Sequence, residues 1–259
     1  MLGALAGDII GSVYEGWPHK ATDFPLFSPA STFTDDSVLT VATAEALLGA
    51  RPYEEVYREF ARRYPHAGYG GTFLQWIFAH AAGPYGSWGN GSAMRVSPIA
   101  WARRSLDEVL AEAARSAAVT HNHPEGIKGA QAVAMAIFLA RTGSSKSEIR
   151  REVSERFGYD LDRRVDEIRP AYQFDVSCQG SVPEALLCFL ESRNFEEAVR
   201  LAVSLGGDAD TQACIAGAVA EAFHGGVPEQ IASEVWIRLP EEFRSVVGRF
   251  RKRFAEKSA

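Results

Sequence analysis

Two short acidic stretches hold the residues best suited to chemistry. TFTDDSVLT, residues 32–40, sets Asp35 and Asp36 behind Thr34, and SLGGDADTQA, residues 204–213, sets Asp208 and Asp210 before Thr211. Carboxylates and hydroxyls are hard oxygen donors, the set that Mg²⁺ and Mn²⁺ take in octahedral arrays, whereas zinc prefers histidine or cysteine. If the two stretches meet in space, four carboxylates come together, and their repulsion raises at least one pKa unless cations offset it. Two divalent ions would neutralise four such charges, and a pair of that kind can orient substrate hydroxyls and acidify a bound water. Each stretch alone has a plainer reading at a helix start, with Thr34 or Asp208 as the cap and the next aspartates in the favourable first turn. Two caps do not each need two carboxylates and a threonine, so the pair points to metal-assisted hydrolysis of something rich in hydroxyls or phosphates.

Two glycine-rich turns could hold an anion beside such a centre. GYGG (Gly68, Gly70, Gly71) and GSWGNG (Ser87, Trp88, Gly89, Asn90) offer successive N–H groups next to predicted helix starts. Trp88 between glycines has two readings, a platform for an adenine-like ring or a buried core residue. Asn90 suits the cap of the following helix. His121 and His123 could face one side of an extended segment as metal ligands, but no third soft ligand accompanies them, and Pro124 reads as the end of the helix before it. Glu15, in SVYEGWP, reads by itself as a solvated carboxylate before a turn. The sequence contains no GxSxG elbow, no Walker loop and no evident Cys/His nucleophile setting.

The elements that must position these residues are helical. Apolar residues recur at helical spacing in Val182–Leu190, Phe195–Val203 and Phe243–Phe254, with similar stripes at 53–64, 106–119 and 127–140, and strand-like alternation is hard to find. The second helix is expected over 38–48, and the one capped by Asp208 runs through Ile215 to Phe223, stopping at Gly225 and Gly226. Gly3, Gly7 and Gly11 stack bare backbone on one helix face, a device for close helix packing. Loops of interest are 65–72, 83–92, 121–126 and 172–183. The expected fold is all-α, a single compact orthogonal multi-helix bundle with one domain over 1–259 and no Pro/Ser-rich or charge-run linker dividing it.

Composition narrows the function classes. A 46% hydrophobic, 23% charged chain is not disordered, and a net charge of −6 argues against a protein that coats nucleic acid. The basic run RFRKRF alternates with core-type phenylalanines and suits a helix C-terminus. Three cysteines, Cys178, Cys188 and Cys214, make no disulfide framework and suggest a reducing cytoplasm. The opening MLGALAGDIIG has no Lys or Arg before it and carries Asp8, and no apolar run reaches the ~18 residues of a membrane span, so neither export nor membrane insertion is expected.

TFTDDS, GSWGNGSAMRVSPIA and LGGDADTQACIAGAVAEAFHG, with the opening GALAGDIIGSVYEG, resemble the signature segments of the ADP-ribosylglycohydrolase family, of the dinitrogenase-reductase-activating type. The segments follow the family's order and span residues 2 to 226. The resemblance implies a compact all-α fold with two Mg²⁺ or Mn²⁺ ions. It implies hydrolysis of the N- or O-glycosidic bond at the distal ribose of an ADP-ribosyl adduct, releasing ADP-ribose. Thr34, Asp35, Asp36, Asp208, Asp210 and Thr211 are then metal ligands. Asp36 or Glu15 takes the proton of the attacking water, with Asp35 beside them in the catalytic set, and Glu15 matches a mobile glutamate over the site. The GYGG turn and Ser87–Asn90 hold the pyrophosphate and adjacent sugar, Trp88 stacks on adenine, and His121 lies near the distal ribose. The implied partner is an ADP-ribosylated protein or other adduct, with nucleic acid entering only as such a substrate. Ala209 departs from the threonine often found there, and the chain is shorter than vertebrate members. Two other readings use the same residues: a two-metal phosphoesterase on nucleotide sugars, and a non-catalytic, crystallin-like or ADP-ribose-binding relative.

Overall fold

In the computed structural model, residues 1–79 and 83–255 are described. The first eight helices are α1 (Leu2–Gly11), α2 (Asp35–Gly49), α3 (Tyr53–Arg63), α4 (Gly71–Phe78), α5 (Gly91–Met94), α6 (Ser97–Ala102), α7 (Leu106–Ala118) and α8 (Pro124–Arg141). The rest are α9 (Lys146–Phe157), α10 (Val165–Ile168), α11 (Cys178–Glu191), α12 (Phe195–Val203), α13 (Ala209–His224), α14 (Glu229–Arg238) and α15 (Glu241–Phe250), followed by a π-helical turn, Arg251–Ala255. The fold is all-α: among the described residues the sole β feature is an isolated bridge between Gly89 and Ser177. None of these helices is long and apolar enough to cross a membrane.

Local sequence explains most boundaries. Ser105 and Ser145 open α7 and α9 with capping boxes closed by Glu108 and Glu148, and glycines in the left-handed region end α9 and α13. The acidic pair 35–36 lies in the first turn of α2, as expected, while two other expectations need correction. Pro124 opens α8 at its first position, where the missing N–H costs nothing, instead of closing the helix before it. The loop drawn over 172–183 ends at Ser177, because that side chain caps α11 by accepting from Gly180 N. The apolar stripe at 243–254 continues beyond α15 into the π-helical turn. There the basic run is held at the C-terminal end of α2, with Arg253 donating to the Leu48 carbonyl at 2.8 Å, as the dipole argument expects.

The core is organised around α13, which is buried along most of its length and packs against α1, α8, α11 and α12. Its closest neighbour is α1, every residue of which is buried. The glycine row makes this possible: a Cβ on Gly3 would lie 2.3 Å from the Gly217 carbonyl oxygen, on Gly7 2.0 Å from that of Ala213, and on Gly11 2.4 Å from the Asp210 Cα. Gly217 returns the contact, its own Cβ position lying 2.4 Å from the Gly3 oxygen. The two backbones touch, and the N-terminus of α13 is thereby fixed beside the C-terminus of α1. All three cysteines are buried and free.

Candidate functional site

The starts of α2 and α13 converge. Thr211 Oγ1, in the first turn of α13, donates to Asp36 Oδ2 at 3.2 Å, joining the two acidic stretches directly. Carboxylate oxygens of Asp8, Asp36 and Asp210 lie within 4.8 Å of one another, and so do those of Glu15, Asp208 and Asp210. Burial keeps Asp35, Asp36 and Asp210 well above the ordinary carboxylate range, with neighbouring carboxylates adding to the effect. The Glu15 carboxyl, exposed at its surface side, is raised too, by partial burial first, then by Asp208 and Asp8.

The helix-cap reading of these residues fails on geometry. Thr34 and Asp208 occupy N-cap positions, yet neither side chain caps its helix. Thr34 Oγ1 donates to Asp8 Oδ1 at 2.6 Å and lies 3.5 Å from Asp36 Oδ2, while Asp208 Oδ2 accepts from Asn90 Nδ2 at 2.7 Å. Asn90 in turn precedes α5 without a side-chain cap. The start of α2 is capped from another helix: Asp8 accepts from the backbone N–H of Thr34 and of Ser37, each at 3.0 Å, and from the Ser37 hydroxyl. Asp8 therefore does the work of the N-cap and leaves Asp35 and Asp36 free to face the site. Sequence reading had not selected Asp8; its signal was a single acid inside the otherwise uncharged helix GALAGDIIG. Despite four donors, burial raises its carboxyl to about 6.

The carboxylates form one end of a cleft of about 610 Å³. Asp35, Asp36, Asp208, Asp210, Thr211 and Glu15 line that end, whereas Thr34 stands behind them, turned to Asp8. Gly68, Gly70 and Gly71 form a second wall, where Gly70 precedes α4 and no side chain caps the helix, so its first N–H groups are available to an anion. Asp35 N donates to the Ala67 carbonyl at 2.7 Å, tying this turn to α2.

Ser87, Trp88, Gly89, Asn90 and His121 line the far wall. Most N–H groups of this second loop are spent within the protein. Gly86 N donates to Asn122 Oδ1 at 2.7 Å, Ser87 N to the Thr120 carbonyl at 3.4 Å, Gly89 N to Ser87 Oγ at 3.2 Å and Asn90 N to the Val176 carbonyl at 2.8 Å. Trp88 is 48% exposed, which removes the core reading, and it shares the cleft rim with Phe174 and Val176, both about half exposed. Sequence reading missed those two, along with Tyr85, Met94 and Arg95, because no local motif encodes which residues line a cleft built from remote segments. His123 is elsewhere: it is the N-cap of α8, accepting from Glu125 N at 3.2 Å. His121 Nδ1 contacts Thr120 Oγ1 at 2.7 Å, so the two histidines form no ligand pair.

The residues fit a cation centre. Asp36 Oδ1 is buried without any hydrogen-bond partner among the described residues, beside a second hard-oxygen cluster of Glu15, Asp208 and Asp210. An unpaired buried carboxylate oxygen of that kind is costly until a positive charge meets it.

Known proteins resemble this chain over most of its length. The family model described as ADP-ribosylglycohydrolase matches residues 1–258. The chain is 29% identical to mouse ADP-ribosylhydrolase ARH3 over 94% of its length and 86% of that protein. It is 28% identical to ADP-ribosylarginine hydrolase Tri1 of Pseudomonas putida over 91% of its length and 72% of that protein. A solved structure titled ADP-ribosylglycohydrolase-related protein complex superposes with a TM-score of 0.74 and 28% identity, covering 95% of this chain and 94% of that one. A match over essentially the whole chain, by sequence and by fold, makes this protein a glycohydrolase of the ADP-ribosylglycohydrolase family.

Proposed function

We propose that this protein hydrolyses the N- or O-glycosidic bond linking the distal ribose of an ADP-ribosyl group to its acceptor, releasing ADP-ribose, with two Mg²⁺ or Mn²⁺ ions as cofactors. The observation that carries the reading is one cleft lined by three unlike features: buried hard-oxygen carboxylates, the uncapped start of α4 tied to them through Asp35, and an exposed Trp88 on the far wall. That span suits a substrate with a hydroxyl-rich sugar at one end, a diphosphate in the middle and a flat base beyond. The relatives named for ADP-ribosyl hydrolysis support it.

Asp35, Asp36, Asp208, Asp210 and the Thr211 hydroxyl would hold the ions, joined by the Thr34 hydroxyl, 3.5 Å from Asp36 Oδ2, if it exchanges Asp8 for an ion. When bound, the ions supply the positive charge that offsets the carboxylates and polarises the oxygens of the distal ribose. The protein's own groups do the rest. The N-terminus of α4 and the GYGG turn hold the diphosphate, and Trp88 stacks on the base, so that the anomeric carbon is delivered to the acidic end in a fixed orientation. Glu15 is a better general base than Asp36: it is exposed at the mouth of the acidic end, whereas the free oxygen of Asp36 is sealed from solvent. Its raised pKa keeps it able both to take the proton of an attacking water and to return it to the leaving group. Water adds to the anomeric carbon, the bond to nitrogen or oxygen breaks, and the proton leaves with the acceptor. Positive charge developing on the sugar ring is stabilised by the surrounding carboxylates.

The test is a panel of ADP-ribosylated arginine, serine and nucleic-acid-end substrates incubated with Mg²⁺, Mn²⁺ or chelator and read by mass spectrometry. Intact ADP-ribose, formed only with metal, is expected. Release of AMP and ribose phosphate would establish a phosphoesterase instead, and no turnover with retained ADP-ribose binding would establish a binding protein.

A further inference from the structure

Behind the far wall of the cleft lies a buried cation whose hydrogen bonds decide the state of a neighbouring histidine. Arg95 is fully buried, its guanidinium 4.5 Å from the centroid of the Tyr57 ring. Its Nη2 donates to the Ser116 carbonyl at 2.9 Å and to Thr120 Oγ1 at 3.0 Å. Thr120, also fully buried, places the same Oγ1 2.7 Å from His121 Nδ1. A guanidinium can only donate, so Thr120 Oγ1 is the acceptor in the first contact and still has one hydrogen to place. Among the described residues His121 Nδ1 is the one further partner of that hydroxyl. With Nδ1 as acceptor that hydrogen finds its partner, and the neutral ring then carries its own hydrogen on Nε2.

Among the described residues Nε2 has no hydrogen-bond partner. It borders the GSWGNG loop, 3.2 Å from where a Cβ on Gly91 would stand and 3.6 Å from that of Gly89, in the wall of the cleft. The imidazole stays uncharged, because burial and, after it, the Arg95 charge hold its pKa well below the usual histidine value.

We propose that Arg95 and Thr120 are positioning residues that fix His121 as the neutral Nε2–H tautomer. The ring then meets a bound ADP-ribosyl group as a hydrogen-bond donor to an acceptor oxygen, and neither as a proton acceptor nor as a metal ligand. The identity of the occupant rests on the proposed function; the tautomer does not. An Asn90 side chain committed to Asp208 and glycines on either side of it leave room at this point of the wall for an oxygen of the ligand. A ligand group that carries only a donor hydrogen there would face another donor and be rejected, since an unpaired buried polar pair is costly.

The deciding experiment is a long-range proton–nitrogen spectrum of the ¹⁵N-histidine-labelled full chain, recorded with and without ADP-ribose. Protonated Nε2 and bare Nδ1 are expected for His121 in the wild type and in Thr120→Ser, which keeps the hydroxyl. Thr120→Val keeps the shape but removes the hydroxyl hydrogen, and should give a mixture of tautomers and a roughly tenfold weaker ADP-ribose complex that Thr120→Ser restores. An Nδ1–H signature in the wild type, or a Thr120→Val spectrum equal to the wild type, overturns the tautomer assignment. The wild-type spectrum alone suffices if the valine variant does not fold. An Nε2–H signal untouched by bound ADP-ribose overturns the donor role. Absence of any ADP-ribose binding removes the proposed function and the donor role with it, while the tautomer stands or falls on the spectrum of the free protein.

Discussion

Replacing Gly7 by alanine adds one methyl group between two helix backbones, outside the lining of the cleft, and should still disable the site. The new Cβ would stand 2.0 Å from the Ala213 carbonyl oxygen, 2.2 Å from its carbon and 2.5 Å from Cys214 N, all backbone atoms of α13. To reach the 3.4 Å at which ordinary van der Waals contact begins, α1 and α13 must separate by more than an ångström. No side chain can turn aside to absorb this. Overpacking of that kind costs about 1–3 kcal/mol of stability. The separation also moves Asp8, which caps α2, relative to Asp210, whose Cα lies 2.4 Å from the Cβ position of Gly11. Misplacement of about 1 Å at a catalytic centre lowers turnover by about 10²-fold. The assay is turnover of an ADP-ribosylated substrate with saturating metal, alongside thermal unfolding. Gly248→Ala is the control, since that glycine is exposed on α15 and a Cβ there meets nothing, so the variant should match or exceed the wild type in stability. Wild-type turnover and melting temperature in Gly7→Ala would refute the claim that the two helices gauge the site.

Asp36→Asn and Asp210→Asn should keep the fold, abolish turnover and weaken Mg²⁺ or Mn²⁺ binding in calorimetry, because an amide cannot offset the ions' charge; activity near wild type in either would count against the cation centre. Trp88→Ala should weaken ADP-ribose binding by about 1–3 kcal/mol if the ring stacks on the base, and an unchanged dissociation constant would remove that assignment. The metal-free chain should show a pH effect of definite sign. Asp36 holds its proton more tightly folded than unfolded, so its contribution is favourable below the ordinary value of 3.8 and is lost as pH rises through the raised folded pKa. In chelator, the stability of wild type minus that of Asp36→Asn should therefore fall as pH is raised from about 4 towards neutrality, and added Mg²⁺ should reverse the fall; a flat difference would contradict it.

How much of this was legible in the sequence depends on how far each feature's partners lie. Helical periodicity named the elements because it is a local property, and α3, α7 and α8 fall where their apolar stripes put them. The two acidic stretches were visible as candidates because a carboxylate pair with a threonine exceeds what a cap needs. What decided their role, Asp8 capping α2 and Asn90 holding Asp208, joins residues 29 and 118 positions apart, beyond any local pattern. Pro124 was misread because proline ends one helix and begins another with equal ease. Glu15 came from family resemblance alone; its neighbours Asp208 and Asp210 come from the other end of the chain. Arg95 sits between Met94 and Val96 as any core-bordering basic residue might in a sequence, and only its burial and its contact with Thr120 single it out.

The GSWGNG loop is fastened to both ends of the cleft. Trp88 and Asn90 exchange backbone hydrogen bonds with the strand-like segment at Val176 and Cys178, while the Asn90 amide grips Asp208. One short piece of chain thus carries the proposed platform for the base and a clamp on the acidic turn. Ordering of either end restrains the other, so nucleotide and cation would strengthen each other's binding, and by thermodynamic reciprocity each would do so by the same factor. Cooperativity between two chemically unrelated ligands then needs no moving domain, only this clasp.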